Sequence, residues 1–414
     1  MIRVDRDRKA GRPIGDDAIA DIRAAVEANS DLGQLLFGLM NEQLKMGRDG
    51  QAADLADSII AKRPTDAQLM LNCARVFANH DLWARAAEYT QMAWDQSKNL
   101  NVGVLLIDSY ARLTPPRAAE AEAVFTELTG LVPPDMAGGM LMLCTEATVR
   151  HAQGRTNSTV RALTAALATA ERPEQVLSWA QNVQRVFRAD PQAAASTMRQ
   201  IAADPALAIT DENRPWLDFA IAQQLVKTPE NAEEGASLLR TLRDLDDANP
   251  LALLAYRVEG NVWYAADDFQ RARTVWDEGL ARFPDDWELL NNQAYLLAVK
   301  FDDAEQALPL AERAVELAPD SLSPHDTLAR VYTDLGRFDE AMTHLERAGE
   351  LATDRAQALT VAMARARYHL ARGELEEARR IAKQARNTVF ETVGLERMGE
   401  AIDELDAEID SAAP

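Results

Sequence analysis

Apolar residues recur at intervals of three and four along almost the whole chain, with polar positions between them. The stretch DAQLMLNCARVFANHDLWARAAEYTQMAW, residues 66–94, shows this pattern twice, with a polar break near Asn79–Asp81. Such spacing places the apolar side chains on one face of a helix. We therefore expect two helices of about a dozen residues joined by a short turn. Runs in which Val, Ile and Thr alternate with polar residues are scarce, so the sequence predicts an all-α fold.

This helical pattern repeats with a nearly fixed period. Ala86 lies 34 residues after Ala52. Ala341 lies 34 residues after Ala307, which itself lies 35 residues after Ala272. A fixed period of this length is typical of proteins in which each unit is one helix pair stacked on its neighbours. The best-defined units start near residues 33, 67, 253, 288, 322 and 359.

The turn LGRFDEA shows what each position of a unit contributes. Gly336 can adopt the left-handed conformation that ends the first helix. Asp339 and Glu340 suit the positive N-terminal end of the second helix. Ala341 is small, as a crossing point between closely packed helices requires. Phe338 is expected to seal the turn against the next unit, and its burial sets how much it stabilises the fold.

The turns of successive units resemble one another. They read MGRDGQAAD, NHDLWARAAE, ADDFQRARTV, LGRFDEAMTH and ARGELEEARR. Small residues in phase accompany them, at Ala74, Gly260, Ala329 and Ala366 in the first helices, and at Ala86, Ala272, Ala341 and Ala378 in the second. This pattern is similar to the tetratricopeptide repeat family of helix–turn–helix modules. The resemblance implies a right-handed superhelical solenoid of antiparallel helix pairs, with about eleven repeats in this chain.

The strength of the repeat pattern divides the chain. The predicted segments are a basic flexible N-terminus at 1–15, repeats with an N-terminal helix at 16–100, degenerate helical hairpins at 101–252, well-formed repeats at 253–392, and a C-terminal capping helix and tail at 393–414. Within the degenerate part, helical pairs are expected at 174–204 and 212–247. Departures from the family pattern there could bend the array or divide it into two stacks.

Candidate binding residues come from the family resemblance. The first helices of such repeats line a concave surface, so residues about four apart on them are expected to face a groove. The predicted peptide-binding residues are Arg257, Asn261, Tyr264, Asn292, Arg330 and Arg367. Arginine can hold a carboxylate with two parallel hydrogen bonds, and asparagine can hold a peptide group at both donor and acceptor.

This row of residues resembles the carboxylate clamp of chaperone-binding family members, which grip an acidic C-terminal tail. The match is partial, because Ser323 and Thr327 stand where the clamp has basic residues. The alternative is that the arginines pair with acids of the chain itself, such as Asp326. Trp263 and Trp276 of the same region are expected in the core.

Composition and charge narrow the classes of function. The chain holds 66 acidic and 44 basic residues, a formal net charge of −22. Such a chain repels phosphate on average, so we expect no nucleic-acid partner. Cys73 and Cys144 lie far apart in the sequence, and two cysteines are too few for a zinc site. We expect both to be buried thiols. No apolar stretch is long enough to span a membrane. The N-terminus shows no export signal, so a cytoplasmic location is expected, or a periplasmic or envelope location if an export signal is missing from this chain.

No pattern of catalytic residues stands out. The sequence lacks the HExxH, GxSxG, CxxC and glycine-rich phosphate-binding motifs, so we expect no enzyme activity, no metal and no cofactor. The leading hypothesis is a scaffold or adaptor that binds a peptide or a helix of a partner protein. The resemblance to the carboxylate clamp implies a partner with an acidic tail. The alternative is a regulatory or substrate-recruiting arm of an enzyme or of an envelope or exopolysaccharide assembly complex. The sequence does not indicate an oligomeric state.

Overall fold

A computed structural model describes residues 33–45, 48–188, 190–352, 355–390 and 396–412 of the chain. Within these residues the secondary structure is helical and contains no strand. The fold class predicted from the apolar spacing is therefore confirmed as all-α. The basic N-terminus predicted at 1–15 lies outside the described residues.

The helices follow one another with short connections. In chain order they are α1 Gly33–Lys45, α2 Asp49–Ile60, α3 Ala67–Asn79, α4 Trp83–Gln96, α5 Leu100–Ala111, α6 Ala118–Leu131, the short α7 Pro134–Ala137, α8 Met140–Ala152, α9 Thr156–Leu167, α10 Pro173–Val186, α11 Pro191–Ala202, α12 Arg214–Leu225, α13 Ala232–Arg243, α14 Pro250–Ala265, α15 Phe269–Arg282, α16 Trp287–Lys300, α17 Ala304–Leu317, α18 Leu322–Asp334, α19 Phe338–Leu351, α20 Arg355–Ala371, α21 Leu375–Phe390 and α22 Glu396–Ser411. A 3-10 turn, Pro229–Asn231, precedes α13.

Consecutive helices pack as antiparallel pairs, because a turn of a few residues reverses the chain between them. Clear pairs are α3 with α4, α16 with α17, α18 with α19, and α20 with α21. Apart from the short α7, the described helices make ten such pairs followed by α22, which agrees with about eleven predicted repeats. The helical pairs expected near 174–204 and 212–247 correspond to α10 with α11 and α12 with α13.

The chain divides into two compact units by its internal contacts. The N-terminal unit is formed mainly by residues 49–255 and the C-terminal unit mainly by residues 256–414. The division falls within α14, a few residues after the predicted start of the well-formed repeats. All of the predicted binding residues belong to the C-terminal unit, and the boundaries predicted from the sequence stay predictions.

Small residues allow the paired helices to approach closely. Ala329 of α18 and Ala341 of α19 are both fully buried, as the repeat pattern predicts. Gly260 of α14 is a tighter case, since a Cβ atom there would lie 2.0 Å from Nε1 of Trp276 on α15. No side chain larger than hydrogen fits at that distance. The indole of Trp276 therefore packs directly on the backbone of α14, and both Trp276 and Trp263 lie in the core, as expected.

The turns within the pairs use a left-handed residue to end the first helix. Gly336 has a φ of +71°, which confirms the role predicted for it. Asp267 and Asp302 take the equivalent conformation in their own turns, with φ of 58° and 51°. Aspartate tolerates this region because its short side chain can bond locally to the backbone. The next residue then caps the following helix, as Asp303 does for the backbone N–H of Gln306 at 3.0 Å.

Phe338 seals its turn less completely than a core residue would. The ring is only partly buried, and it packs edge-on against Tyr368 of α20 with a centroid distance of 5.8 Å. The guanidinium of Arg372 lies 5.7 Å from the same ring. Phe338 therefore links neighbouring pairs while one side of the ring stays accessible to solvent, so its contribution to stability is smaller than full burial would give.

This partial burial can be measured by comparing two truncations on α19. We expect Phe338→Ala to lower the free energy of unfolding by less than about 3 kcal/mol, because solvent fills part of the space left by the ring. Leu345→Ala removes a side chain that is 1% exposed, and we expect it to cost about 2–5 kcal/mol. Urea denaturation of both variants measures the difference. A larger loss for Phe338→Ala than for Leu345→Ala would contradict this view of the turn.

The contact at Gly260 gives a second prediction. Gly260→Ala should destabilise the fold by about 1–3 kcal/mol, because the new methyl group forces Trp276 or the helix axes to move. Gly38 of α1 is the matched control, since it is exposed and a Cβ there would meet nothing within 4 Å. Gly38→Ala should stabilise its helix by up to about 1 kcal/mol. Thermal midpoints from circular dichroism report both effects, and equal midpoints would rule out a steric role for Gly260.

Candidate functional site

The candidate site is a row of polar side chains on the first helices of the C-terminal unit. We call this row the first-helix face. It consists of Arg257, Asn261 and Tyr264 on α14, Asn292, Tyr295 and Lys300 on α16, Asp326, Arg330 and Asp334 on α18, and Arg367 on α20. All six residues predicted from the sequence are included. The structure places them on the first helices of four successive pairs.

Arg257 is held by acids at the start of α16. Its Nε donates to Oδ1 of Asp286 at 3.0 Å, its Nη2 bonds the other carboxylate oxygen, and its Nη1 donates to Glu288 at 2.7 Å. Asp286 also caps α16, because its Oδ1 accepts the backbone N–H of Leu289 at 3.0 Å. The Asp286 side chain is 7% exposed, so this ion pair is well shielded from water. Arg257 therefore ties one pair to the next, and substituting it would disturb the fold as well as any binding.

The other two predicted arginines also have carboxylate partners. Nε of Arg330 donates to both oxygens of Asp334, one turn along α18, at 2.9 and 2.8 Å. Nε of Arg367 lies 3.6 Å from Glu408 of α22. All three arginines thus pair with acids of the chain itself. This is the arrangement that the sequence offered as the alternative to a carboxylate clamp. Their role in peptide binding stays a prediction.

Asn261 and Asn292 contact each other directly. Nδ2 of Asn292 donates to Oδ1 of Asn261 at 3.2 Å, which joins α14 to α16 on the first-helix face. Asn261 is exposed and Asn292 is half-buried. Asn291, by contrast, is buried and donates weakly to Oδ1 of Asn292 at 3.4 Å. The two amides of the pair therefore lie side by side at the surface.

An aromatic group adjoins this amide pair. The ring centroid of Tyr264 lies 5.5 Å from that of Phe269 and 6.2 Å from that of Tyr295. The ammonium of Lys300 lies 4.9 Å from the centre of the Phe269 ring and 6.0 Å from that of Tyr264. Burial and the neighbouring Tyr295 raise the pKa of Tyr264 above its ordinary value, as does the charge of Glu404. The Tyr264 hydroxyl is therefore neutral at any physiological pH.

A shallow depression of about 400 Å³ borders the aromatic group. Phe269, Lys300 and Phe301 line it together with the turn residues Asp267 and Asp268. Its surface is therefore mixed, with both apolar rings and charged side chains.

Tyr295 was not predicted from the sequence, although a signal for it existed. It lies three residues after Asn292 on α16, and residues three apart share one face of a helix. Its side chain is also among the most exposed large apolar groups of the described residues, at 37%. Treating each first helix as a face, rather than searching for arginine and asparagine alone, would have included it.

Two histidines meet behind the first-helix face. Nδ1 of His325 on α18 lies 2.8 Å from Nδ1 of His344 on α19, and Nε2 of His325 lies 3.0 Å from the carbonyl oxygen of Pro319. The carbonyl can only accept, so Nε2 of His325 carries a proton. One of the two Nδ1 atoms donates to the other, so the two rings cannot both be protonated at Nδ1. Burial and the neighbouring His325 lower the pKa of His344, while Glu312 acts in the opposite direction.

This histidine pair predicts a dependence of stability on pH. Because the folded-state pKa of His344 is lowered, the unfolded chain binds more protons below about pH 6.5, and the free energy of unfolding falls as the pH drops through that value. Burial raises the pKa of nearby Asp326 to about 6, which acts in the opposite direction over the same range. The histidine effect is therefore best measured in an Asp326→Asn background.

In that background, His344→Asn keeps a donor near Nδ1 of His325 but removes the titrating ring. We expect the variant to lose less free energy of unfolding than its parent between about pH 7.5 and about pH 5.5, because one group that titrates there is gone. Urea denaturation at the two pH values gives the comparison. Equal losses in the two proteins would show that the pair does not titrate as proposed.

The described residues contain no group of three or more His, Cys, Asp or Glu side chains placed to hold a metal ion. Among the helices that they form, none is long and apolar enough to cross a membrane. Cys73 and Cys144 are buried free thiols, as expected, and burial raises their pKa values to about 12 and about 11.

Helix pairs with small residues at their crossings and a polar first-helix face define a helical repeat protein. Residues 298–365, which span parts of α16 to α20, match the family model described as tetratricopeptide repeat. This part of the chain is of tetratricopeptide repeat type, as its turn motifs predicted. In general terms, such repeats serve as scaffolds for protein interaction. Comparison with curated proteins finds no match.

Solved structures of repeat proteins are similar only at a low level. A tetratricopeptide repeat protein from Parabacteroides merdae is 16% identical and covers 65% of this chain and 98% of its own, with a TM-score of 0.42. Yeast Tom70 is 16% identical and covers 95% of this chain and 92% of its own, with a TM-score of 0.36. YrrB, described as having an unusual peptide-binding site, is 21% identical and covers 43% of this chain and 89% of its own, with a TM-score of 0.33. At these values the structures carry no argument about this chain's partners.

Proposed function

We propose that this protein is an interaction scaffold whose C-terminal unit binds an extended peptide along the first-helix face. The observation that carries the proposal is the exposed amide pair of Asn261 and Asn292. Each amide has two donors and an acceptor with two lone pairs, and their mutual bond uses one donor and one lone pair. Within the described residues, Nδ2 of Asn261 donates to no other group. It is therefore available to a carbonyl of a bound chain.

The surroundings of the amide pair fit a peptide better than a small molecule. The pair joins the first helices α14 and α16, which also carry the aromatic group, and α18 is the first helix of the following pair. An extended chain can cross those helices and place alternate side chains against each. Tyr264 and Tyr295 offer apolar area together with polar hydroxyl groups, a combination that is enriched at protein interfaces.

The proposal predicts the effect of removing both amides. Peptides selected from a phage-displayed library of random dodecamers would be synthesised, and their affinities measured by fluorescence anisotropy. We expect Asn261→Ala together with Asn292→Ala to weaken binding about tenfold or more, because the peptide group loses its partners. Asn157→Ala is the control, since Asn157 is an exposed residue of α9 in the N-terminal unit.

Circular dichroism must show unchanged helix content in both variants. Selected peptides that bind equally well to the double variant would overturn the proposed site. A library that yields no binder at all would overturn the proposed function for this unit.

A further inference from the structure

The depression beside the aromatic group is open and has the size of one large side chain. Its volume of about 400 Å³ is near the lower end of the range for pockets that hold small molecules, about 300–1,000 Å³. Phe269 and Phe301 supply its apolar lining, and both residues are only half-buried. Ala266 and Gln270 also line it and are exposed. A side chain from solvent can therefore reach the two rings.

The depression is continuous with the amide pair. Tyr264 lies one turn after Asn261 on α14, and its ring packs against that of Phe269 at a centroid distance of 5.5 Å. Lys300 is the last residue of α16, the helix that carries Asn292. These two residues lie about 12 Å apart along the helix axis, a distance that about four residues of an extended peptide span. One short peptide can therefore contact both places.

The charges around the depression disfavour a charged side chain. Asp267 and Asp268 line it together with Lys300. An incoming carboxylate would lie near the two aspartates and an incoming cation near the lysine, and like charges that are brought together repel. Asp268 is also engaged already, since it accepts the backbone N–H of Arg271 at 3.1 Å and pairs with the guanidinium of that residue. A neutral group fits this arrangement best.

Cations on the two rings favour an aromatic group over an aliphatic one. The ammonium of Lys300 lies 4.9 Å from the centre of the Phe269 ring, and the guanidinium of Arg273 lies 5.2 Å from that of Phe301. Within the described residues Lys300 forms no ion pair, so its ammonium can accommodate a further ring. A cation is attracted to the face of an aromatic ring, and aromatic rings also attract one another in edge-on or offset arrangements.

We propose that the depression receives an aromatic side chain of the bound peptide, so that the partner of this scaffold is a segment with a Phe, Tyr or Trp anchor. This inference rests on the proposed function, because it names the chemistry of the peptide that the first-helix face holds. The anchor packs against Phe269 and Phe301 and beside the ammonium of Lys300. Aromatic residues that fill a pocket commonly contribute a large share of the binding energy of an interface.

The first test uses the dodecamers selected from the random library. Fluorescein-labelled versions are synthesised in which each aromatic residue is replaced in turn by leucine, and their affinities are measured by anisotropy. We expect one position at which leucine weakens binding about threefold or more, because it loses the ring and cation contacts. Glutamate or lysine at that position should weaken binding further, since each meets a like charge.

Two variants of the protein locate the anchor. Lys300→Gln should weaken the aromatic peptide about two- to fivefold and its leucine version little. Lys383→Gln, at an exposed position on α21, is the control with the same change of net charge. Gln270→Trp fills the depression with a ring of the chain itself and should weaken the aromatic peptide about tenfold or more. Thr274→Trp, exposed one turn further along α15, is its control.

Three results would overturn the aromatic anchor. They are selected peptides that tolerate leucine at every aromatic position, equal effects of Lys300→Gln on the aromatic and leucine peptides, and binding to the Gln270→Trp variant as tight as to its control. The asparagine variants separate this inference from the proposed function. If the peptides lose affinity with Asn261→Ala together with Asn292→Ala while giving any of those results, the peptide site stands and the aromatic anchor does not.

Discussion

The close approach of paired helices is the constraint on which this structure depends. At Gly260 the indole of Trp276 rests on the backbone of the neighbouring helix, and Ala329 and Ala341 permit a similar contact two pairs later. Because helix axes are fixed at these points, the side chains on the outer edge of each first helix acquire fixed neighbours as well. The amide pair of Asn261 and Asn292 is one such contact, and it joins α14 to α16.

The fold was largely predictable from the sequence, since its determinants are local. A glycine such as Gly336 ends a helix through its own backbone conformation, and an alanine such as Ala341 is recognised by its phase in the repeat. The site was less predictable. The acids that occupy Arg257 and Arg367 come from α16 and α22, and the identity of an ion-pair partner depends on long side chains that many rotamers can place. Sequence spacing gives the face of a helix but not the partner across it.

Pairing within the chain changes what the arginines can contribute. Asp286 caps α16 and binds Arg257 with the same carboxylate, so one residue serves both helix formation and contact between repeats. A shielded pair of this kind has already lost its water, and separating it to admit an acidic ligand would leave a buried charge behind. The asparagine amides, by contrast, are groups that the fold leaves incompletely bonded, and it is there that we propose the face binds a partner.

The pairing of each helix with its neighbours in sequence also shapes how the chain reaches this structure. Most contacts in such an arrangement join residues close together along the chain, and topologies rich in local contacts fold quickly. Any well-formed hairpin, such as α18 with α19, can nucleate and recruit the next, so that order spreads stepwise along the chain. Hairpins at the ends open more readily than those between two neighbours, so native-state hydrogen exchange would vary along the repeats rather than reflect a single unfolding event.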